Sequence, residues 1–253
     1  MEYLYIENNT KKLYSIYHKP EISDNNSIGV VLCYPMGQEY IRCHKLFVIL
    51  AQKLALKGFH TLRFDYFGTG DSAGDFRNIK ISELTGDIGL AINELQAGCD
   101  VSKIVLIGVR FGATLSMFYA EKEKIDGLVL WSPVCNGNKY LNEMKSSQKK
   151  WLEGSFAKQK KHEKGTIESL GYLYSKELCK EIGEISIKKI NSTAKILVID
   201  EDDNLLNIGE TNISHKRLVN KEFWQKRDNE NDKSLVPVFE IDTIIKWILR
   251  IND

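Results

Sequence analysis

Short apolar runs alternate with longer stretches of helical period along most of the chain. Residues 2–7 and 13–18 alternate polar and apolar about Asn8-Asn9-Thr10, which predicts an antiparallel β-hairpin. After a polar loop from Pro20 to Ser27, the run Ile28 to Cys33 has the length of a buried strand and ends at Tyr34-Pro35-Met36-Gly37. Leu46 to Lys57 carries apolar residues at helical spacing and stops at Gly58. Phe59 to Phe64 predicts a strand that runs into the stretch Asp65 to Ser72, and Ile81 to Ala97 predicts a helix. Ile104 to Ile107 is again strand-like, and Ala113 to Ala120 reads as a helix. Asp126 to Trp131 and Lys195 to Asp200 predict two more strands, and the amphipathic helix Phe239 to Arg250 closes the pattern. Such alternation implies an α/β fold, a mostly parallel sheet with helices on both faces and the N-terminal hairpin at its edge.

The segment 136–190 breaks the pattern. It is polar and lysine-rich, with weak helical periodicity, and reads as a helical cap or lid over the carboxyl edge of the sheet, where open α/β sheets hold their ligands. Its basic cluster, Lys158 to Lys164, is read as a solvated helix face rather than an anion-binding patch. A length of 253 residues then fits a single domain, 1–253, with this cap as an insertion.

Composition narrows the functional classes. A net charge of +1 argues against a global nucleic-acid or acidic-membrane role, and no stretch approaches a membrane span. The N-terminal stretch lacks the apolar core of a secretory signal. The cysteines, Cys33, Cys43, Cys99, Cys135 and Cys179, are scattered, odd in number and without a C-x-x-C pair, which points to a reducing, cytoplasmic compartment. No His/Cys/Asp group has zinc-like spacing, and Asp65 to Ser72 lacks the G-x-G-x-x-G frame of a dinucleotide site, so no metal or cofactor is expected.

Candidate chemistry concentrates in Gly108-Val109-Arg110-Phe111-Gly112. A strand, two glycines four apart and a helix make the frame of a nucleophile elbow, G-x-S-x-G. Its central residue here is Arg110, which stays protonated and cannot serve as an acyl-transfer nucleophile.

Three stretches carry a family resemblance. AQKLALKGFHTLRFDYFGTGDSAGDF, GVRFGA and DKSLVPVFEIDTIIKWI together resemble the α/β-hydrolase superfamily over nearly the whole chain, in its serine aminopeptidase (S33)-like branch. Within that branch they resemble the hydrolase-like proteins encoded beside exosortase systems, some of which carry arginine at the elbow. The resemblance implies a Ser-His-Asp site, with its nucleophile position at Arg110. It places the acid after the strand Ile196 to Ile199, at Asp203 with Asp202 as the near alternative. It places the base at Asp232, where an imidazole is replaced by a carboxylate whose pKa lies far below working pH. His215 stands too far upstream to substitute. The oxyanion-binding N–H groups fall near Met36 and Gly37 and at Phe111.

Rival residues have plainer readings. Ser132 and Cys135 follow a strand end and are candidates for a displaced nucleophile, or simply loop residues. His44, near Arg42 and Glu39, is a candidate base or a polar residue on a helix's first turn. Cys33 reads as a small core residue, and Asp65 and Asp71 as parts of a structural turn. The expectation is a pseudo-hydrolase that keeps a pocket for an acyl, peptide or anionic ligand or a partner protein. The alternative is an enzyme using a displaced nucleophile, or Arg110 as an anion clamp. Either way, a buried cation above a helix N-terminus needs a counter-charge, and Asp203 and Asp232 are the partners the sequence suggests.

Overall fold

The structure, a computed structural model, describes residues 1–8, 11–22, 27–158, 161–201, 212–218, 224 and 236–251. A hairpin of β1 (Glu2–Asn8) and β2 (Lys11–His18) opens the chain, followed by β3 (Ile28–Cys33), α1 (Gln38–Leu56) and β4 (His60–Phe64). Then come α2 (Ile81–Gly98), β5 (Lys103–Val109), α3 (Phe111–Ala120) and β6 (Gly127–Trp131). The segment read as a cap holds α4 (Gly137–Glu153), a small hairpin of β7 (Ile167–Ser169) and β8 (Tyr172–Tyr174), and α5 (Lys176–Gly183). The chain ends with β9 (Lys195–Asp200), β10 (Ile213–Arg217) and α6 (Val238–Ile248).

Among the described residues the main sheet has eight strands in the order β1-β2-β4-β3-β5-β6-β9-β10. From β4 to β10 all pairings are parallel, and β2 joins β4 antiparallel to bring in the N-terminal hairpin. The central strands are buried on both faces, so they read as continuous apolar runs rather than alternating ones. Helices cover both sides: α1 is tied to α6 by Lys53 and Asp242, and α2 packs on α3. The chain passes from β3 to β4 on one side and then to β5 on the other. That reversal puts the topological switch point, the usual ligand crevice, between the carboxyl ends of β3 and β5.

Three elements differ from the expectation. Helix α1 begins at Gln38, not Leu46, because Gly37 turns the chain at φ 59° and starts the helix at once. Its first turns present Gln38, Glu39 and Arg42 to a cavity at the sheet edge, and its buried apolar residues run from Cys43 onward. Strand β10 was not anticipated: it is a mixed polar strand at the edge of the sheet, paired among the described residues with β9. The segment 136–190 is not purely helical, since β7 and β8 pair through a tight turn with Leu170 at φ 50° and Gly171 at φ 92°. Ser169 Oγ donates to the Met144 carbonyl at 3.1 Å and Leu170 N to Gln148 Oε1 at 2.8 Å, fixing this hairpin to α4. Helix α4 in turn buries Tyr140, Leu141, Met144 and Gln148, one stripe at helical spacing within an otherwise polar sequence.

Asp65 and Asp71 form a turn, as the sequence suggests. Asp65 accepts hydrogen bonds from Tyr40 Oη at 2.9 Å and Asp71 N at 3.0 Å. Asp87 accepts from Phe67 N at 2.9 Å and pairs with Lys11, holding the same turn onto α2. No described helix is long and apolar enough to cross a membrane.

Candidate functional site at the carboxyl edge of the sheet

The elbow is built as its glycines require. A Cβ on Gly108 would run into Ala113, and one on Gly112 would overlap the carbonyl oxygens of Cys33 and Tyr34. The two glycines therefore let α3 fold back onto β5 and press against the end of β3. Between them Arg110 stands at φ 53°, ψ −120°, with its N–H donating to the Trp131 carbonyl at 2.8 Å. A non-glycine residue in this region carries strain of about 1–3 kcal/mol. The surrounding close contacts hold it there.

Arg110 is paired within the protein, one cation between two carboxylates. Its Nε donates to Glu39 Oε1 at 3.0 Å and its Nη2 to Glu143 Oε2 at 2.8 Å. Tyr140 Oη donates to the other oxygen of Glu39 at 3.1 Å. The guanidinium carbon also lies 5.5 Å from the Tyr140 ring and 5.1 Å from the Trp224 ring. The Arg110 side chain is 12% exposed, Glu39 14% and Glu143 32%. Burial opposes the cation, yet Glu39, Tyr140 and Glu143 outweigh it and hold the guanidinium pKa above its ordinary value. The expected counter-charge is thus present, supplied by α1 and α4. Asp203, its alternative Asp202, and Asp232 lie outside the described residues.

Met36, Gly37 and Phe111, the residues expected to supply oxyanion-binding N–H groups, lie between β3 and α1 and at the start of α3. Phe111 is the first residue of α3, so its N–H has no intrahelical acceptor. Its ring stacks on Tyr140 at 5.7 Å. Met36 is buried, and Gly37 follows it across the crevice. A Cβ on Gly37 would strike the hydroxyl of Tyr174, so β8 closes directly over this loop.

Two cavities flank the Arg110 cluster. One, of about 260 Å³, lies on the α1 side beneath β7 and β8, with Glu39, Tyr140 and Glu143 in its wall. The other, of about 320 Å³, contains Arg110, Ser132, Cys135 and Asp200. Ser132 is buried at φ 46°, a second strained residue at a strand end. Burial, and then Asp200, push the Cys135 thiol up to about 12. His44 points elsewhere: it stacks on Tyr34 and borders a cavity of about 30 Å³ beside Arg63 and Asp65. His215 sits on β10, opposite Val198 of β9, and borders neither of these two cavities beside Arg110. Cys33 is a core residue, with its thiol pushed up to about 12 chiefly by burial. No cluster of metal-ligating side chains occurs among the described residues. The sequence missed Glu39 and Glu143 as partners of Arg110. Their spacing from it, 71 and 33 residues, gives no local signal.

A family model described as serine aminopeptidase, S33, matches residues 30–177, from the third strand to the first residues of α5. The chain belongs to the S33 family. Solved structures agree on the fold of this S33 chain. Est1E from Butyrivibrio proteoclasticus with bound ferulic acid shares 15% identity, with 97% of this chain and 98% of that one covered and a TM-score of 0.62. A soluble variant of the Saccharomyces cerevisiae monoglyceride lipase, in complex with a substrate analog, shares 13% identity over 99% of this chain and 94% of that one, at a TM-score of 0.67. Mouse alpha/beta hydrolase domain-containing protein 10 shares 14% identity over 99% and 100%, at 0.60. No curated protein sequence matches the chain. At these identities the neighbours establish the α/β-hydrolase fold and nothing more specific.

Proposed function

We propose that this S33-family chain is a pseudo-hydrolase: it binds an acyl, peptide or anionic ligand, or a partner protein, at the carboxyl edge of its sheet without hydrolysing it. The observation that carries this reading is Arg110 at the elbow centre, held by Glu39 and Glu143. A guanidinium cannot attack a carbonyl, and this one is locked in place where a tetrahedral intermediate would form. Asp232 at the base position works in the same direction, since a carboxylate is a poor proton acceptor at neutral pH. Two cavities beside Arg110 leave room for a ligand and support this reading. Est1E with ferulic acid and the lipase with a substrate analog give precedent for small ligands on this fold. We read 136–190 as the cap of a single 1–253 domain, and the five free cysteines as those of a cytoplasmic protein.

A fluorophosphonate probe and p-nitrophenyl butyrate test the proposal on the purified protein. The expected result is no labelling and no turnover above buffer. Arg110→Ser is expected to remain inactive as well, because the base position is still an aspartate. Turnover by the unmodified protein would remove the reading.

One observation favours a second reading, in which a displaced nucleophile acts. Ser132 is strained, buried and in the same cavity as Arg110, with Cys135 beside it. Turnover abolished by Ser132→Ala or Cys135→Ala would establish that route. The raised Cys135 pKa makes its thiolate scarce and weighs against the cysteine.

A further inference from the structure

The cavity beneath β7 and β8 has a charge pattern that the Arg110 cluster leaves incomplete. Glu39 and Glu143 in its wall share the one cation Arg110, so that cluster carries a net charge of −1. Arg42 of α1 and Lys150 of α4 also line this cavity, and neither has an ion pair among the described residues. Tyr174 is 2% exposed, borders the same space and places its hydroxyl against Gly37. That hydroxyl makes no hydrogen bond to another described residue. A buried phenol normally finds a partner. The remaining wall is mixed: Gln38, Ser147 and Ser169 are polar, while Met36, Met144, Leu170 and Trp224 give an apolar part, and methionines adapt to a flexible chain.

We propose that this cavity takes an amphiphilic anion, a carboxylate or phosphate monoester on a short apolar tail. The Tyr174 hydroxyl donates to the headgroup, Arg42 and Lys150 offset its charge, and the tail lies against Met36, Met144 and Trp224. Arg42 and Lys150 turn the net −1 of the Arg110 cluster into a surplus of one positive charge, and a concave site concentrates that potential, which selects a monoanion over a neutral ester of the same length. A volume of about 260 Å³ suits a small ligand rather than a long acyl chain. The inference rests on the reading that the pocket binds without hydrolysing, and it specifies the ligand class.

Calorimetric titration with octanoate, octyl phosphate, octanol and octyltrimethylammonium tests it on the intact chain. One of the two anions is expected to bind at least about tenfold more tightly than octanol, a difference of about 1.4 kcal/mol, with the ammonium weaker still. The better anion identifies the headgroup. Arg42→Gln and Tyr174→Phe are each expected to weaken that anion about tenfold. Lys149→Gln, an exposed neighbour paired with Glu153, is expected to leave it unchanged. Octanol binding as tightly as both anions, no binding of any probe, or full affinity in a correctly folded Arg42→Gln protein would each overturn the inference. Fluorophosphonate labelling run in parallel separates the two claims. Labelling removes the non-hydrolytic reading, whereas loss of anion selectivity without labelling removes only this one.

Discussion

Arg110 carries its charge at the N-terminus of α3, where the helix dipole repels a cation, in a backbone region that adds strain. Two carboxylates and two aromatic rings offset that cost. Removing the cation therefore does more than delete a side chain, because it leaves Glu39 and Glu143 facing each other in a largely buried site. Arg110→Ser is expected to lose about 3–5 kcal/mol of stability, the usual cost of breaking a buried pair, read from urea unfolding at neutral pH. An unchanged unfolding midpoint would show that Arg110 does not hold the fold together. A second buried cation makes a pH-dependent prediction. Arg63 donates from Nε to His18 Nε2 at 3.0 Å and from Nη1 to Tyr34 Oη at 3.0 Å. Only neutral histidine can accept that bond, and burial, then the Arg63 charge, lowers the His18 pKa to about 4. The unfolded chain binds the proton from about pH 6.5 downward, so between about 6.5 and 4 it holds more protons than the native state. Stability should thus fall with pH across that window. His18→Asn should flatten that part of the stability profile, measured by thermal unfolding from pH 7 to 4.

The elbow was legible as an element because its requirement is local. Gly-x-x-x-Gly between an apolar run and a helix reports a close approach, and the neighbours of Gly108 and Gly112 supply it. Gly112→Ala is expected to cost about 3 kcal/mol or more, since its methyl would overlap rigid backbone carbonyls that cannot give way. Gly86, exposed within α2 and with nothing within 4 Å of an added methyl, is the control. Gly86→Ala should instead stabilise by about 0.5–1 kcal/mol through helix propensity. Equal effects of the two substitutions would mean that the elbow is not sterically constrained. Helix α4 and the β7–β8 hairpin were less legible. Each buries only a narrow stripe, and each depends on the other through Gln148 and Ser169, so neither period stands out in the sequence.

Across the whole molecule, stability follows the density of buried contacts. Strands β3, β5, β6 and β9 form the apolar centre, whereas the described residues from Phe156 to Lys158 and from Lys161 to Gly165 are exposed and outside regular elements. Trypsin should cut first between Lys158 and Lys164, and the core sheet should survive that cut. A first cut within the sheet strands, read by mass spectrometry of early fragments, would contradict this ordering of stabilities.

The sequence by itself determined the alternation of strands and helices, a mostly parallel sheet, the elbow frame, and the presence of a cation at its centre. It also determined that this cation needs an anion, because a buried charge cannot stand alone. Only the tertiary structure decided which anions: Glu39 from the first turn of α1 and Glu143 from the middle of α4. Periodicity records which face of an element is buried. It holds no record of which side chains from separate elements meet at the edge of the sheet, because that is fixed by how α1, the elbow and the inserted segment pack together.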